Sequence, residues 1–178
     1  MIDGAILKMW LMRFVLIGLA VIVVFFHLLP LHHLPPRLAG PDIITLLIFA
    51  WALRRPDYVP AWMIALVALL ADFIFQRPPG LWAALTVVFA ESLKSGERRQ
   101  RETNFMMEWL SVAVSLGVMT LIYQLTKVLL IIEPVGWVLA ISSALASILF
   151  YPVVVGISRL LGIARSSPRD SDRLGLGA

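Results

Sequence analysis

The 178-residue chain contains no cysteine and little charge. Without cysteine it has no disulfide framework and no thiolate-ligated zinc or iron–sulfur site. Only 15% of its residues are charged, against about 25% in soluble domains, whereas 60% are apolar or aromatic. The mean hydropathy is +0.90. This composition excludes a water-soluble globule and a disordered chain, and it indicates an all-α integral membrane protein.

Charged residues divide the chain into six apolar stretches. They cover residues 14–36, 38–53, 58–76, 78–93, 103–126 and 134–158. A helix needs about 20 residues to cross a hydrocarbon core of roughly 30 Å, and the second and fourth stretches have only 16 residues each. We therefore predict a bundle of about six transmembrane helices, two of them short. Four spans with two re-entrant segments are the alternative.

The distribution of basic residues favours six spans with both termini in the cytoplasm. This topology places 12 of the 15 basic residues on the inner side and leaves only Arg37, Arg77 and Lys127 outside, as the positive-inside rule expects. The net charge of +4 then reflects membrane topology and predicts no nucleic-acid partner. We predict one transmembrane domain over residues 1–163 and a disordered cytoplasmic tail over residues 164–178.

Asp72 is the acid that the sequence places deepest in a membrane span. At about 21 Å from the inner end of its helix, a carboxylate costs a few kcal/mol. Asp72 shares a helix face with Ala61, Ala65 and Ala68, and small residues let a neighbouring helix approach closely, so Asp72 is predicted to face protein. Its role is either functional (proton relay, cation ligand or partner contact) or structural. A structural Asp72 would cap the amides of the following turn or pair with Arg77.

The other polar residues form no catalytic constellation. Glu91 and Lys94 are three residues apart, where helix side chains meet, and are predicted to pair at the inner interface. Glu108 is placed at the interface beside Trp109. The three histidines lie among Leu and Pro, and the motifs of nucleophilic hydrolases, metalloproteases and phosphate-binding loops are absent. The sequence predicts no enzyme activity, no cofactor and no metal site.

Two further patterns concern packing and depth. Ala140, Ala144 and Ser147 in the last stretch form a second face of small residues, which predicts helix packing. Most tryptophan and tyrosine residues, Trp51 among them, lie near predicted span ends, as expected of an aromatic belt at the membrane interface.

Residues 40–94 carry an ordered pattern. It consists of a Pro-acid pair, an aromatic residue, a proline after a loop, an acid ending a span and a Gly-Leu turn, which are Pro41, Asp42, Trp51, Pro56, Asp72, Gly80 and Leu81. This pattern resembles the bacterial rod shape-determining protein MreD family, in its alphaproteobacterial form. The turn QRPPG at residues 76–80 departs from the glycine-serine turn of many relatives.

The resemblance implies a non-enzymatic inner-membrane scaffold subunit of the cell-elongation (rod) complex, which supports peptidoglycan synthesis and cell shape. The implied partners are an MreC-like bitopic protein, the glycosyltransferase and transpeptidase of that complex, the actin-like MreB filament and membrane lipids. The family is also similar in fold to the substrate-binding membrane subunits of vitamin-uptake transporters. That similarity gives the alternative function, a small-molecule-binding subunit of an uptake transporter.

The structural or partner-interface candidates are Asp72, Gly80, Leu81, Pro41, Asp42 and Trp51. Small-residue helix faces are predicted to bind the transmembrane helix of the MreC-like partner. A basic inner loop comprises Lys94, Arg98, Arg99 and Arg101. This loop is predicted either to hold anionic lipid or a filament-side partner, with about 1 kcal/mol from each basic residue, or to serve topology alone.

Overall fold

The computed structural model describes residues 2–29, 39–99, 104–131 and 136–163. Within these ranges all regular secondary structure is helical. The helices are α1 (Ile2–Leu28), α2 (Ile43–Arg54), α3 (Ala61–Ile74), α4 (Leu81–Arg99), α5 (Phe105–Leu129) and α6 (Trp137–Leu160), with a short 3-10 helix (Pro56–Tyr58) between α2 and α3. The predicted tail, residues 164–178, lies outside the described residues.

Three of the helices, α1, α5 and α6, are long and apolar enough to cross a membrane. Large apolar side chains remain exposed along each of them, such as Phe14, Leu121 and Leu149. Exposure of such apolar surfaces to water is unfavourable, whereas contact with lipid chains is not. These helices confirm the prediction of an all-helical membrane protein for the described residues, whereas the number of six spans stays a prediction.

Helix α2 lies at the centre of the bundle. Every residue from Ile44 to Arg54 is buried, and the helix packs against α4 and α6 with further contacts to α1 and α3. A helix of 12 residues is about 18 Å long. The second apolar stretch is therefore tucked between longer neighbours and has no face left for lipid.

The central position of α2 corrects the prediction that Trp51 belongs to an interfacial aromatic belt. Its indole ring is fully buried, and Nε1 donates a hydrogen bond of 3.2 Å to Oγ of Ser158 on α6. Trp62, in contrast, is 57% exposed at the start of α3. Both tryptophans lie near the end of a predicted span, but only Trp51 is on a helix that the rest of the bundle encloses. Position along the sequence therefore could not predict which of the two is buried.

Helices α3 and α4 differ in length from the apolar stretches that predicted them. α3 covers 14 residues instead of 58–76, because Pro60 has an extended conformation and is the N-cap of the helix. After the helix, Gln76 takes a φ of +54° and ends the turn. α4 continues beyond its apolar stretch to Arg99. Lys94 consequently lies on a helix and not in a loop.

The small-residue faces of α3 and α6 are partly enclosed within the protein. Ala68 and Asp72 of α3 are buried, although Ala61 of the same predicted face is exposed. On α6, Oγ of Ser147 accepts a hydrogen bond of 2.9 Å from the main-chain N–H of Asp42. Helix packing was predicted correctly for these buried residues, and the binding of a partner's helix stays a prediction.

Candidate functional site

The helices alternate in direction, so that the bundle has two ends. The end where α1 begins is termed proximal, and the end where α1 finishes is termed distal. The distal end holds the starts of α2, α4 and α6, and the proximal end holds the starts of α3 and α5. Polar side chains are gathered at both ends.

Asp72 caps the start of α4 at the distal end. Its side chain is fully buried, and Oδ2 accepts hydrogen bonds of 3.1 Å from the main-chain N–H groups of Gly80 and Ala83. The first N–H groups of a helix lack partners within the helix and carry partial positive charge, which suits a carboxylate. Asp72 thus faces protein, as predicted, and makes the capping contact that was one of its two structural alternatives.

Gly80 fits this turn because it takes a φ of +87°. Such a conformation is favourable for glycine and strained for residues with a Cβ atom. Its carbonyl accepts a hydrogen bond of 2.9 Å from the N–H of Ala84, in the first turn of α4. Leu81 follows as the first residue of α4, so the Gly-Leu pair marks the transition from turn to helix.

Arg77 pairs with Asp42 and not with Asp72, the other structural alternative. Nη1 of Arg77 lies 2.9 Å from Oδ2 of Asp42, while Oδ1 of Asp42 accepts a hydrogen bond of 3.2 Å from the N–H of Thr45. Asp42 is therefore both the N-cap of α2 and the anchor of the α3–α4 turn. Pro41 immediately precedes this cap, and its carbonyl accepts a hydrogen bond from Ile43.

A pocket of about 260 Å³ lies beside the capped turn, between that turn, α5 and α6. Charged, polar and aromatic side chains line it: Asp42, Arg77, Trp82, Thr120, Tyr123, Gln124, Lys127 and Ser143. The sequence did not predict that these side chains converge, because the lining residues belong to four separate segments. We term it the distal pocket.

Both cations of the distal pocket, Arg77 and Lys127, lie against aromatic rings. The guanidinium carbon of Arg77 is 5.1 Å from the ring centres of both Phe75 and Trp82. The Lys127 ammonium is 5.5 Å from the ring centre of Tyr123, and Lys127 is only 4% exposed. These distances are within the usual range for cation–π attraction.

The proximal end contains a buried ion pair between Arg54 of α2 and Glu108 of α5. Nε and Nη2 of Arg54 donate to the carboxylate at 3.0–3.1 Å, and the hydroxyl of Tyr151 on α6 donates to Oε1 of Glu108 at 2.7 Å. The sequence placed Arg54 among the solvated inner basic residues and Glu108 at the membrane interface. The pairing of these two residues inside the protein was not predicted; it arises because α2 lies within the bundle and brings its last turn against α5.

Lys94 is also engaged inside the protein. Nζ donates to Oε1 of Glu91 at 2.7 Å and to the carbonyl of Val59, and Lys94 is buried. The predicted Glu91–Lys94 pair is confirmed, but Lys94 is not a loop residue open to lipid. Arg98 and Arg99 end α4, and their side chains, like the whole of Arg101, lie outside the described part of the chain.

No group of three or more His, Asp or Glu among the described residues is placed to hold a metal ion. His27 packs its ring 4.4 Å from that of Phe75, and the other two histidines lie outside the described ranges. No protein-family model, no curated protein and no solved structure matches the chain.

Proposed function

We propose that the protein is a non-enzymatic scaffold subunit of the bacterial cell-elongation complex. In this role it supports peptidoglycan synthesis and cell shape by binding an MreC-like bitopic protein, beside the glycosyltransferase and transpeptidase, with the MreB filament on the cytoplasmic side. The observation that carries the proposal is the distal turn. Three residues of the sequence pattern, Asp42, Asp72 and Gly80, belong to one hydrogen-bonded unit there.

The bonding within this unit supports a structural role. Oδ2 of Asp72 accepts hydrogen bonds from the turn amide of Gly80 and the helix amide of Ala83, and the carboxylate of Asp42 accepts from Thr45 and Arg77. A carboxylate engaged in this way fixes main-chain geometry, whereas a catalytic acid or base needs access to a substrate proton. The turn therefore suits a rigid surface better than a reaction centre.

We further propose that the protein crosses the inner membrane six times with both termini in the cytoplasm. The alternating helix directions and the basic residues near the proximal end support this topology. The distal end, with the capped turn and the distal pocket, then faces outward. Ala68 and Asp72 are enclosed within the bundle. A partner's helix would therefore contact the opposite, exposed face of α3, which carries Leu66, Leu70 and Phe73.

Affinity purification tests the scaffold function. The tagged full chain is extracted in mild detergent, and retained proteins are identified by mass spectrometry. Recovery of an MreC-like protein with wall-synthesis enzymes is expected for the wild type, and a reduced recovery for Asp72→Asn, which weakens the cap. Asp57→Asn is the matched control, because Asp57 is an exposed acid at the proximal end. Failure of the wild type to retain elongation proteins, or equal recovery by Asp72→Asn, would contradict the proposal.

A second candidate function is favoured by the distal pocket. Small-molecule sites combine aromatic walls with a few convergent polar groups, and Trp82, Tyr123, Arg77 and Lys127 provide both. These residues support a small-molecule-binding subunit of an uptake transporter. The same purification distinguishes the two functions, because an uptake subunit would retain ATPase subunits and a bound small molecule.

A further inference from the structure

We propose that the distal pocket binds a phosphate group, carried either by a lipid headgroup or by a small phosphorylated molecule. The inference goes beyond the scaffold function and holds for both functions proposed above. It depends on the charge, burial and position of the residues that line the pocket.

Lys127 is a cation on the wall of the distal pocket. It is 4% exposed, and no carboxylate of the described residues forms an ion pair with it. Its ammonium lies 5.5 Å from the ring centre of Tyr123, which leaves the positive charge without an acidic partner among the described residues. A cation on the wall of a pocket attracts anions, so the distal pocket favours an anion beside Lys127.

Arg77 is the second cation that lines the distal pocket. Its guanidinium is held in place by the rings of Phe75 and Trp82 and by one hydrogen bond from Nη1 to Asp42. The remaining N–H donors of a guanidinium in this position can bind oxygen atoms of a ligand. Asp42 is the one acid among the residues that line the pocket, whereas Arg77 and Lys127 are two cations of the same lining. The lining therefore carries an excess of positive charge.

The combination of donors favours phosphate. A guanidinium offers a planar pair of donors and an ammonium offers a point charge, and both are common phosphate ligands. A phosphate has more acceptor oxygens than a carboxylate and can be shared between Arg77 and Lys127. Hydroxyl and amide groups of Thr120, Ser143 and Gln124 complete a polar lining.

The position of the pocket identifies two sources of phosphate. It lies where α5 ends at Leu129 and α6 begins at Trp137. Both helices are long enough to cross a membrane, so their ends are at the depth of lipid headgroups. An anionic phospholipid can reach this level from the bilayer, and a soluble phosphorylated molecule can reach it from the aqueous side.

Titration calorimetry on the full chain in detergent tests the proposal with two probes, inorganic phosphate and short-chain phosphatidylglycerol. Lys127→Gln is expected to weaken binding about tenfold or more, the loss that accompanies removal of a hydrogen bond to a charged group. Lys8→Gln is the matched control, because Lys8 is an exposed lysine on α1 at the proximal end. It should bind as the wild type does, and Lys127→Arg should retain binding because it keeps the charge.

The two probes separate the sources. Binding of inorganic phosphate in competition with the lipid supports a general phosphate site, and binding of phosphatidylglycerol alone supports a headgroup site. Thermal unfolding of the wild type provides a measurement that needs no variant: phosphate should raise the midpoint, and chloride at equal ionic strength should not. Absence of binding by both probes, or binding by Lys127→Gln equal to that of the wild type, would overturn the proposal.

Discussion

The guanidinium of Arg54 and the carboxylate of Glu108 form three hydrogen bonds across the proximal end of the bundle, with side chains only 4% and 2% exposed. The pair joins the central helix α2 to α5, and the hydroxyl of Tyr151 extends the contact to α6. Each charge inside the bundle depends on the other for stabilisation.

Replacing Glu108 with Gln should destabilise the protein strongly. The substitution leaves the Arg54 charge buried without its counter-ion, which costs about 3–5 kcal/mol. Thermal unfolding in detergent should show a markedly lower midpoint. Asp57→Asn makes the same acid-to-amide change at an exposed position and should leave the midpoint nearly unchanged. Equal midpoints for the two variants would contradict a buried pair.

Replacing both members of the pair with apolar residues should cost less than replacing one. In the double variant Arg54→Met, Glu108→Leu no charge remains buried, and such exchanges are often neutral or stabilising. We expect its unfolding midpoint to lie above that of Glu108→Gln. A midpoint below that of the single variant would show that the two side chains stabilise the protein by more than compensating each other's charge.

Gly80→Ala should destabilise the distal turn. Its φ of +87° costs a residue with a Cβ atom about 1–2 kcal/mol. Gly96→Ala is the matched control, because Gly96 lies within helix α4 with open space around it. There the same substitution should stabilise by about 0.5–1 kcal/mol. Unfolding measurements on the two variants should therefore shift in opposite directions, and a common direction would refute the role of the turn.

Trp51→Phe should lower stability by about 1–3 kcal/mol. The substitution removes the indole donor of the hydrogen bond to Ser158 and leaves a buried hydroxyl without that partner. Trp62→Phe alters an exposed tryptophan at the start of α3 and should change stability by less than about 0.5 kcal/mol. Chemical unfolding of both variants gives the comparison, and equal losses would argue against an enclosed α2.

The absence of cysteine makes the proposed topology directly measurable. Asp57→Cys and Pro79→Cys each introduce a single thiol at an exposed position, at the proximal and the distal end respectively. A membrane-impermeant maleimide should label Pro79→Cys in cells whose inner membrane is intact, and Asp57→Cys only after that membrane is permeabilised. Labelling of both from the same side would exclude the six-span topology.

Local sequence patterns were sufficient for the features that depend on one helix. The apolar stretches predicted an all-helical membrane protein, the three-residue spacing predicted the Glu91–Lys94 pair, and helical periodicity predicted that Asp72 faces protein. Each of these inferences needs only composition or the geometry of a single helix.

The contacts between distant segments could not be predicted in this way. Arg54 is followed by Arg55, so the sequence resembles the solvated end of a span, and its partner Glu108 is 54 residues away. Lys127 resembles an ordinary basic residue at the end of a helix. Only the three-dimensional position of α2 and α5 shows that both side chains are buried, because burial depends on which helices become neighbours.

The enclosure of α2 also has a consequence for the order of events during synthesis. The central helix leaves the ribosome long before the residues that surround it, since its hydrogen-bond partners Ser147 and Ser158 follow more than a hundred residues later. The carboxylate of Glu108, which compensates the charge of Arg54, follows 54 residues later. The packing of α2 is therefore completed only after α6 has been synthesised.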